Sequence, residues 1–486
     1  MSSFADFDSL NRRQTRRNQV LADLKALDRQ VNEWLEACRL ADIETGAKEV
    51  YVGRHETQLK TVQTVLLGVL ADLQARAGQI ALKTDPGAVH EECRRLSTAT
   101  VWFERLWDYV RSRFAQRFGT GERAALVRAA DEVVWSCYRP VFKNLAAHHP
   151  ARLRSVAPLA YVEPEYSPAA MQFDRPLPAG LRLVSGDATL DSMLDRLPIS
   201  TLRLPPWTVT APWWLVFVAH EVGHHVQHEL DLVKHVADGV GEAARAAGLS
   251  DALSRKWEAW AEEIFADAFS VLMIGPLAAR AVSEVEWSAE PGMAQRKVHY
   301  PAPIIRIALM TALAERLGLE NDQTLALAEW QAMAQRHPTT AEDWPAIAGT
   351  IDFLLAPLPD GLPPLAELCD FKAAPYAERE QVHKWTSALQ GKEKLAPRSG
   401  LVEARLMASA AFAAWSELAS RSPDDVERET EWKHLLSHAS GAIRACSEPG
   451  KRAGGTVEID PGSASALSEL MLGTPLDARV ANRGEA

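Results

Sequence analysis

The sequence is short of several things, and each shortage narrows what the chain can be. Among 486 residues there are five cysteines. Cys38, Cys93, Cys137, Cys369 and Cys446 are odd in number, scattered, and nowhere in C-x-x-C spacing. That argues against a disulfide framework and for reduced thiols in a cytoplasmic setting. Long apolar runs are missing too. The longest, Trp213 to Ala219, is far too short to span a bilayer. No apolar stretch follows Arg12, Arg13, Arg16 and Arg17 near the start, so no signal peptide is expected. There are no internal repeats, no phosphate-cradling glycine loop and no nucleophilic triad. The formal net charge of −11, with 24% charged residues, gives no reason to expect nucleic acid. The expectation is a soluble, intracellular chain without nucleic-acid or membrane partners.

What is present is mostly helical rhythm. A chain of this length is expected to hold roughly two to four domains and to bury a large core. Val20, Leu24, Leu27, Val31, Trp34 and Cys38 alternate by four and three, and Leu59, Val62, Leu66, Val69 and Leu73 repeat the pattern. Phe103, Leu106, Val110 and Phe114 mark a third helix. Residues 1–118 therefore read as a helical, coiled-coil-like module, a hairpin or three-helix bundle. Its stripes serve as internal core, or as a surface for self-association or partner docking. A core is expected over 119–320, and a C-terminal helical region over 321–447. That region carries helices at Gln323–Arg336, Ala341–Leu355, Glu378–Leu389 and Leu401–Ser420. Prolines 357, 359, 363 and 364 mark a loop. Residues 448–486 turn Gly-, Ser- and Ala-rich and read as a flexible tail, with a short amphipathic helix possible over Ala464–Leu472.

The chemistry concentrates in one place. His220-Glu221-Val222-Gly223-His224-His225 contains H-E-x-x-H. On a helix, i and i+4 share a face, so both imidazoles can address one metal ion, with Glu221 beside them to hold a water. By composition the motif arises by accident in roughly one or two per cent of chains this long, so context must decide. Helix-compatible sequence runs from Trp213 through Val226, with Pro212 in the first turn and Thr210 as N-cap. Trp213, Phe217, His220, His224 and His228 then form one stripe. The plain alternative is an ordinary amphipathic helix with core or surface histidines.

A second helix supplies acid. Leu253, Trp257, Trp260, Ile264 and Val271 form an apolar stripe, and Asp267 falls on it. A buried aspartate needs a partner, and the N–H of a metal-binding imidazole is the obvious one. Glu263 lies at the edge of the buried face, one turn before Asp267, whereas Glu262 is rotated about 100° toward solvent. Glu263 is thus the better third ligand. The competing view makes Glu258, Glu262 and Glu263 a solvated acidic face.

Taken together, His220-Glu221-x-x-His224 and Glu263-x-x-Ala266-Asp267 resemble the zinc metallopeptidases called gluzincins. The E-x-x-A-D form is also similar to regulatory metallopeptidases that cleave repressors. The resemblance covers Leu202 to Gly275. It implies a zincin-like core, one zinc ion held by His220, His224 and Glu263, Glu221 as general base, and Asp267 orienting a histidine. His225 is a departure from the motif and reads as a packing residue or a hydrogen bond at the site mouth.

Peptide hydrolysis on such a centre needs a second electrophile for the oxyanion. His299 or Tyr300, ahead of an apolar helix beginning near Ile304, could supply it; equally, both could be loop residues stiffened by Pro301 and Pro303. Arg306, inside an apolar run, calls for a buried acid, Asp267 or Glu262. Ile199–Leu204 and Leu181–Val184 read as short strands, and a sheet edge beside the metal would let an extended peptide substrate add as a strand. The expected fold class is mainly α with a small β-sheet (α+β), a metallopeptidase core flanked by helical modules. The expected function is zinc-dependent hydrolysis of a protein or peptide substrate. Two other functions remain: a helical scaffold or sensor with a structural or inactive metal site, and a metal-dependent hydrolase of small molecules.

Overall fold

The computed structural model describes residues 4–44, 54–80, 85–148, 157–163, 188–194, 197, 200–319, 325–371, 379–397, 403–422, 425–446 and 462–475. These are mainly α with a small two-stranded sheet, as the residue pattern predicts. No described helix is long and apolar enough to cross a membrane. Contacts divide the chain into two compact units, one of residues 1–118, 182–200 and 450–486, the other of 119–181 and 201–449.

The first unit is a helical bundle. It contains α1 (Phe4–Glu44), α2 (Glu56–Gln79), α3 (Pro86–Ala115) and the short α5 (Ala188–Leu194). Helix α3 starts where its sequence says it should. Asp85 caps it by accepting from the Ala88 N–H at 2.7 Å, and Pro86 occupies the first turn. Val20, Leu24, Leu27, Val31 and Cys38 are buried as their spacing requires, and so are Leu59, Val62, Leu66, Val69 and Leu73. Leu35, not Trp34, completes the α1 seam. Trp34 instead makes T-shaped contacts with Trp107 and Phe114, with ring centroids 4.9 and 5.6 Å away.

A C-terminal helix, Gly462–Gly473, belongs to the same unit, so this part of the sequence beyond Cys446 is packed. Its Leu467 and Met471 are buried, Ser465 and Ser468 donate to Asp72 of α2, and Glu469 pairs with Arg76.

The second unit holds the sheet and the motif. Strand β1 (Leu159–Val162) pairs in parallel with β2 (Thr201–Leu204), in register Leu159 to Thr201 and Val162 to Leu204. Helix α4 (Glu122–His148) backs it, and Asp131 accepts the Ala160 N–H at 3.1 Å. The strand read at Leu181–Val184 lies outside the described residues, as does Ile199.

The other described helices of this unit, all but Pro338–Asp343, contribute to one apolar core. They are α6 (Val218–Glu229), α7 (Val233–Ala246), α8 (Asp251–Ile274), α9 (Leu277–Glu286), α10 (Glu290–Met293), α11 (Pro303–Arg316), α12 (Leu327–Gln335), α13 (Pro338–Asp343), α14 (Ala346–Leu354), α15 (Leu365–Leu368), α16 (Arg379–Leu389), α17 (Glu403–Ser420) and α18 (Val426–Ala445). That core continues past residue 320: Trp213 packs against Trp415 and Trp432 of α17 and α18.

Further sequence expectations need correction here, among them the helix over Gln323–Arg336, which begins only at Leu327. The helix over Trp213–Val226 is an α-helix only from Val218. Residues Pro212–Phe217 form a 3₁₀ turn opened by Pro212, following another at Pro206–Thr210. Thr210 is not an N-cap; its hydroxyl donates to the Trp207 carbonyl at 3.0 Å, closing the earlier turn. The helix over Ala341–Leu355 is split into α13 and α14, because Pro345 has no N–H to continue the first.

All five cysteines are free and buried.

Candidate metal centre

The site is made by two helices that touch. On α6 the periodicity turns His220 and His224 inward, and on α8 Glu263 and Asp267 continue the face of Trp260 and Ile264; all are buried. What lets the helices approach is Gly223. A Cβ there would stand 2.9 Å from the Cα of Ala266 and 3.1 Å from the Cβ of Phe269. Glycine on α6 and alanine on α8 thus remove the bulk that would hold the donors apart.

His220 Nε2 lies 3.2 Å from Glu263 Oε2 and 3.3 Å from His224 Nε2, and His224 Nε2 lies 3.5 Å from the same oxygen. One donor atom from each residue falls within 4.8 Å of the others. A tetrahedral ion bound at ordinary zinc distances requires donors about 3.4 Å apart. The observed separations bracket that value.

The protonation pattern makes the same demand. His220 Nδ1 lies 2.9 Å from Asp267 Oδ1, which puts the ring proton on Nδ1 and leaves Nε2 as a lone pair. That lone pair then faces a carboxylate oxygen and a second imidazole nitrogen. Glu263 Oε1 and His224 Nδ1 are buried without a hydrogen-bond partner among the described residues, and Glu263 Oε2 meets only the two imidazoles. A buried carboxylate and a lone pair turned toward one another call for a cation or a proton between them. Without an ion, a proton takes that place. Burial alone would lower the His220 pKa, but hydrogen bonds with Asp267 and Glu263 outweigh it and raise it to about 10. For Glu263, burial favours the neutral acid, yet the two imidazoles hold the carboxyl well below its usual range. The donor set therefore fits a divalent cation.

Glu221, 9% exposed, sits next to His220, with one carboxylate oxygen buried and unpartnered. Burial pushes its pKa up, while the fields of His220, His224 and Arg203 on β2 pull against that shift. Burial, with the neighbouring His224 and His228, pushes the His225 pKa down to about 3, and the Thr201 backbone of β2 pulls weakly against that shift.

Asp267 is gripped from behind. Arg306 on α11 donates to it through Nε at 2.6 Å and Nη2 at 2.8 Å, a bidentate pair. Of the two acids considered for Arg306, the structure selects Asp267. Glu262 faces out, half exposed, 3.5 Å from His228.

Tyr300 is buried beneath the Arg306 guanidinium, which stands 4.3 Å from its ring centre. Burial and the nearby charges of Glu263 and Glu221 raise its pKa well above the ordinary value, so it stays a protonated phenol. His299 is exposed. The structure thus gathers His220, Glu221, His224, Glu263, Asp267, Arg306 and Tyr300, and leaves His299 at the surface.

Three participants escape a sequence reading: Gly223, Arg203 and Glu286, the last pairing with Arg306 at 3.1 Å. Glu286 carries a signal, since Ala278, Val282 and Glu286 fall on one buried stripe of α9, just as Asp267 does on α8.

No family model, curated protein or solved structure matches the chain.

Proposed function

We propose that the protein is a zinc-dependent metallopeptidase acting on a protein or peptide substrate. The observation that carries this is the convergence of His220, His224 and Glu263 from two helices, with Glu221 beside them. A zinc ion held by these three residues would supply Lewis acidity and a fourth position open to water or a carbonyl oxygen.

The chain supplies the rest. Glu221, destabilised as an anion by burial, is suited to take a proton from the attacking water and return it to the leaving amine. Asp267 fixes the ring plane and tautomer of His220, and Arg306 fixes Asp267. Tyr300, a buried phenol close to Glu221 and Glu263, is the donor best suited to a developing oxyanion. Strand β2, whose Arg203 acts on Glu221, offers an extended peptide a neighbouring backbone.

The deep burial of all three ligands favours a second reading, a scaffold or sensor with a structural metal. The two are separated by Glu221→Gln assayed on a peptide library. A peptidase loses roughly 10²- to 10⁴-fold in cleavage rate while keeping its zinc. Identical behaviour of variant and wild type in every cleavage assay points to the structural site.

A further inference from the structure

The buried ion network does not end at the aspartate behind His220. Arg306 is held between two carboxylates from different helices, Asp267 of α8 and Glu286 at the last position of α9. The second oxygen of Glu286 pairs with Lys297. The backbone N–H of Lys297 donates to the Tyr300 carbonyl at 3.1 Å, and the Tyr300 ring lies under the same guanidinium. Beyond the imidazole, charge alternates along Asp267, Arg306, Glu286 and Lys297. The side chains of Asp267, Glu286 and Arg306 are 6%, 6% and 7% exposed, whereas that of Lys297 is 30% exposed.

The position of Glu286 has a chemical consequence at His220. A carboxylate clamped by a guanidinium is a weaker acceptor for any further hydrogen bond. If Asp267 alone neutralised Arg306, its hold on the His220 Nδ1–H would weaken, and the imidazole would become a poorer donor to a cation. A second carboxylate on the guanidinium takes part of that charge away from Asp267. The exposed end of the network, Lys297, is partly screened by solvent and moderates Glu286 only weakly.

We infer that Glu286 is a positioning residue of the metal centre, sharing Arg306 with Asp267 so that His220 stays a strong ligand. This rests on the zinc-binding part of the function proposed above. It assigns a role to a residue that touches neither ligand nor substrate.

The test uses the full-length chain stripped of metal and titrated with zinc against a chromophoric chelator. Melting of the metal-free protein is recorded in parallel. Glu286→Gln, which keeps shape and removes charge, weakens zinc binding by about three- to tenfold. Asp267→Asn, one step nearer, weakens it by about 10- to 100-fold. Glu286→Asp recovers most of the loss, and it stands in should the glutamine variant fail to fold. Lys297→Met leaves the Arg306–Glu286 pair in place and binds zinc as tightly as wild type, or more tightly. A purely structural Glu286 would shift the metal-free melting temperature without moving the zinc affinity. The inference is overturned if Glu286→Gln binds zinc like wild type while Asp267→Asn does not. It is equally overturned if Lys297→Met loses as much affinity as Glu286→Gln. Wild type that takes up no zinc defeats the metallopeptidase reading itself, and this inference with it.

Discussion

The seam between α1 and α2 and the seam between α6 and α8 are made of the same element and differ in what they bury. The first closes over Val20, Leu24, Leu27, Val31 and Leu35 against Leu59, Val62, Leu66, Val69 and Leu73. Among the described residues of those two helices, no carboxylate or imidazole is buried. The second buries His220, Glu221, His224, Glu263 and Asp267 within a few turns. Apolar seams are stabilised by area and tolerate exchange of similar side chains. A seam of charged groups is stable only when every charge has a partner in the right place. The α6–α8 seam therefore spends stability on holding a geometry, and the α1–α2 seam has no such geometry to hold.

That contrast can be broken or sharpened by substitution, and the largest effect is expected at Arg306. Arg306→Ala leaves Asp267 and Glu286 buried without their shared cation, which costs about 3–5 kcal/mol. Chemical denaturation should show that loss. A loss below about 1 kcal/mol would mean that the two carboxylates find other partners and the network is not integral. Leu467→Ala, on the C-terminal helix of the apolar unit, comes next. It costs about 2–5 kcal/mol by cavity formation, with zinc affinity unchanged. Any fall in zinc affinity would contradict the separation between apolar and charged seams.

Gly223→Ala acts where the two helices touch. Its methyl group meets the Ala266 backbone, so the helices must part, at a cost of about 1–3 kcal/mol. Zinc binding should weaken with it, because the donors on α6 and α8 separate together. Retained affinity would show that the close approach does not set the ligand spacing. Glu262→Gln is the smallest change. Its pair with His228 is half exposed on both sides and is worth about 0–1 kcal/mol. Neither stability nor zinc affinity should move. A lost zinc ion would make Glu262, rather than Glu263, the ligand.

How much of this was legible beforehand follows from the range over which each signal acts. Helical periodicity is local, so it placed His220 and His224 on one face. It put Asp267 on the stripe of Trp257, Trp260 and Ile264, and it preferred Glu263 to Glu262. The seams of α1 and α2 were legible for the same reason. Pairings between distant segments were not. Nothing within a few residues of Arg306 reveals that it meets Asp267 and Glu286, and nothing near Gly462 reveals that the helix returns to α2. Local patterning also misjudged Pro212. A proline is compatible with the first turn of an α-helix, but here it opens a 3₁₀ turn, and the α-helix begins only at Val218. Trp34 failed for a different reason. Heptad spacing fixes the seam to within a residue, and the packing of Trp34 on Trp107 and Phe114 hands the position to Leu35.

The central claim is that His220, His224 and Glu263 together bind a metal ion. The most direct test is a zinc titration of metal-free wild type beside Glu263→Ala and His224→Ala. One zinc per wild-type chain, with binding abolished or weakened by roughly 100-fold or more in both variants, is the predicted result. A wild-type chain that takes up no zinc, or a Glu263→Ala variant that binds it as tightly as wild type, would contradict the account.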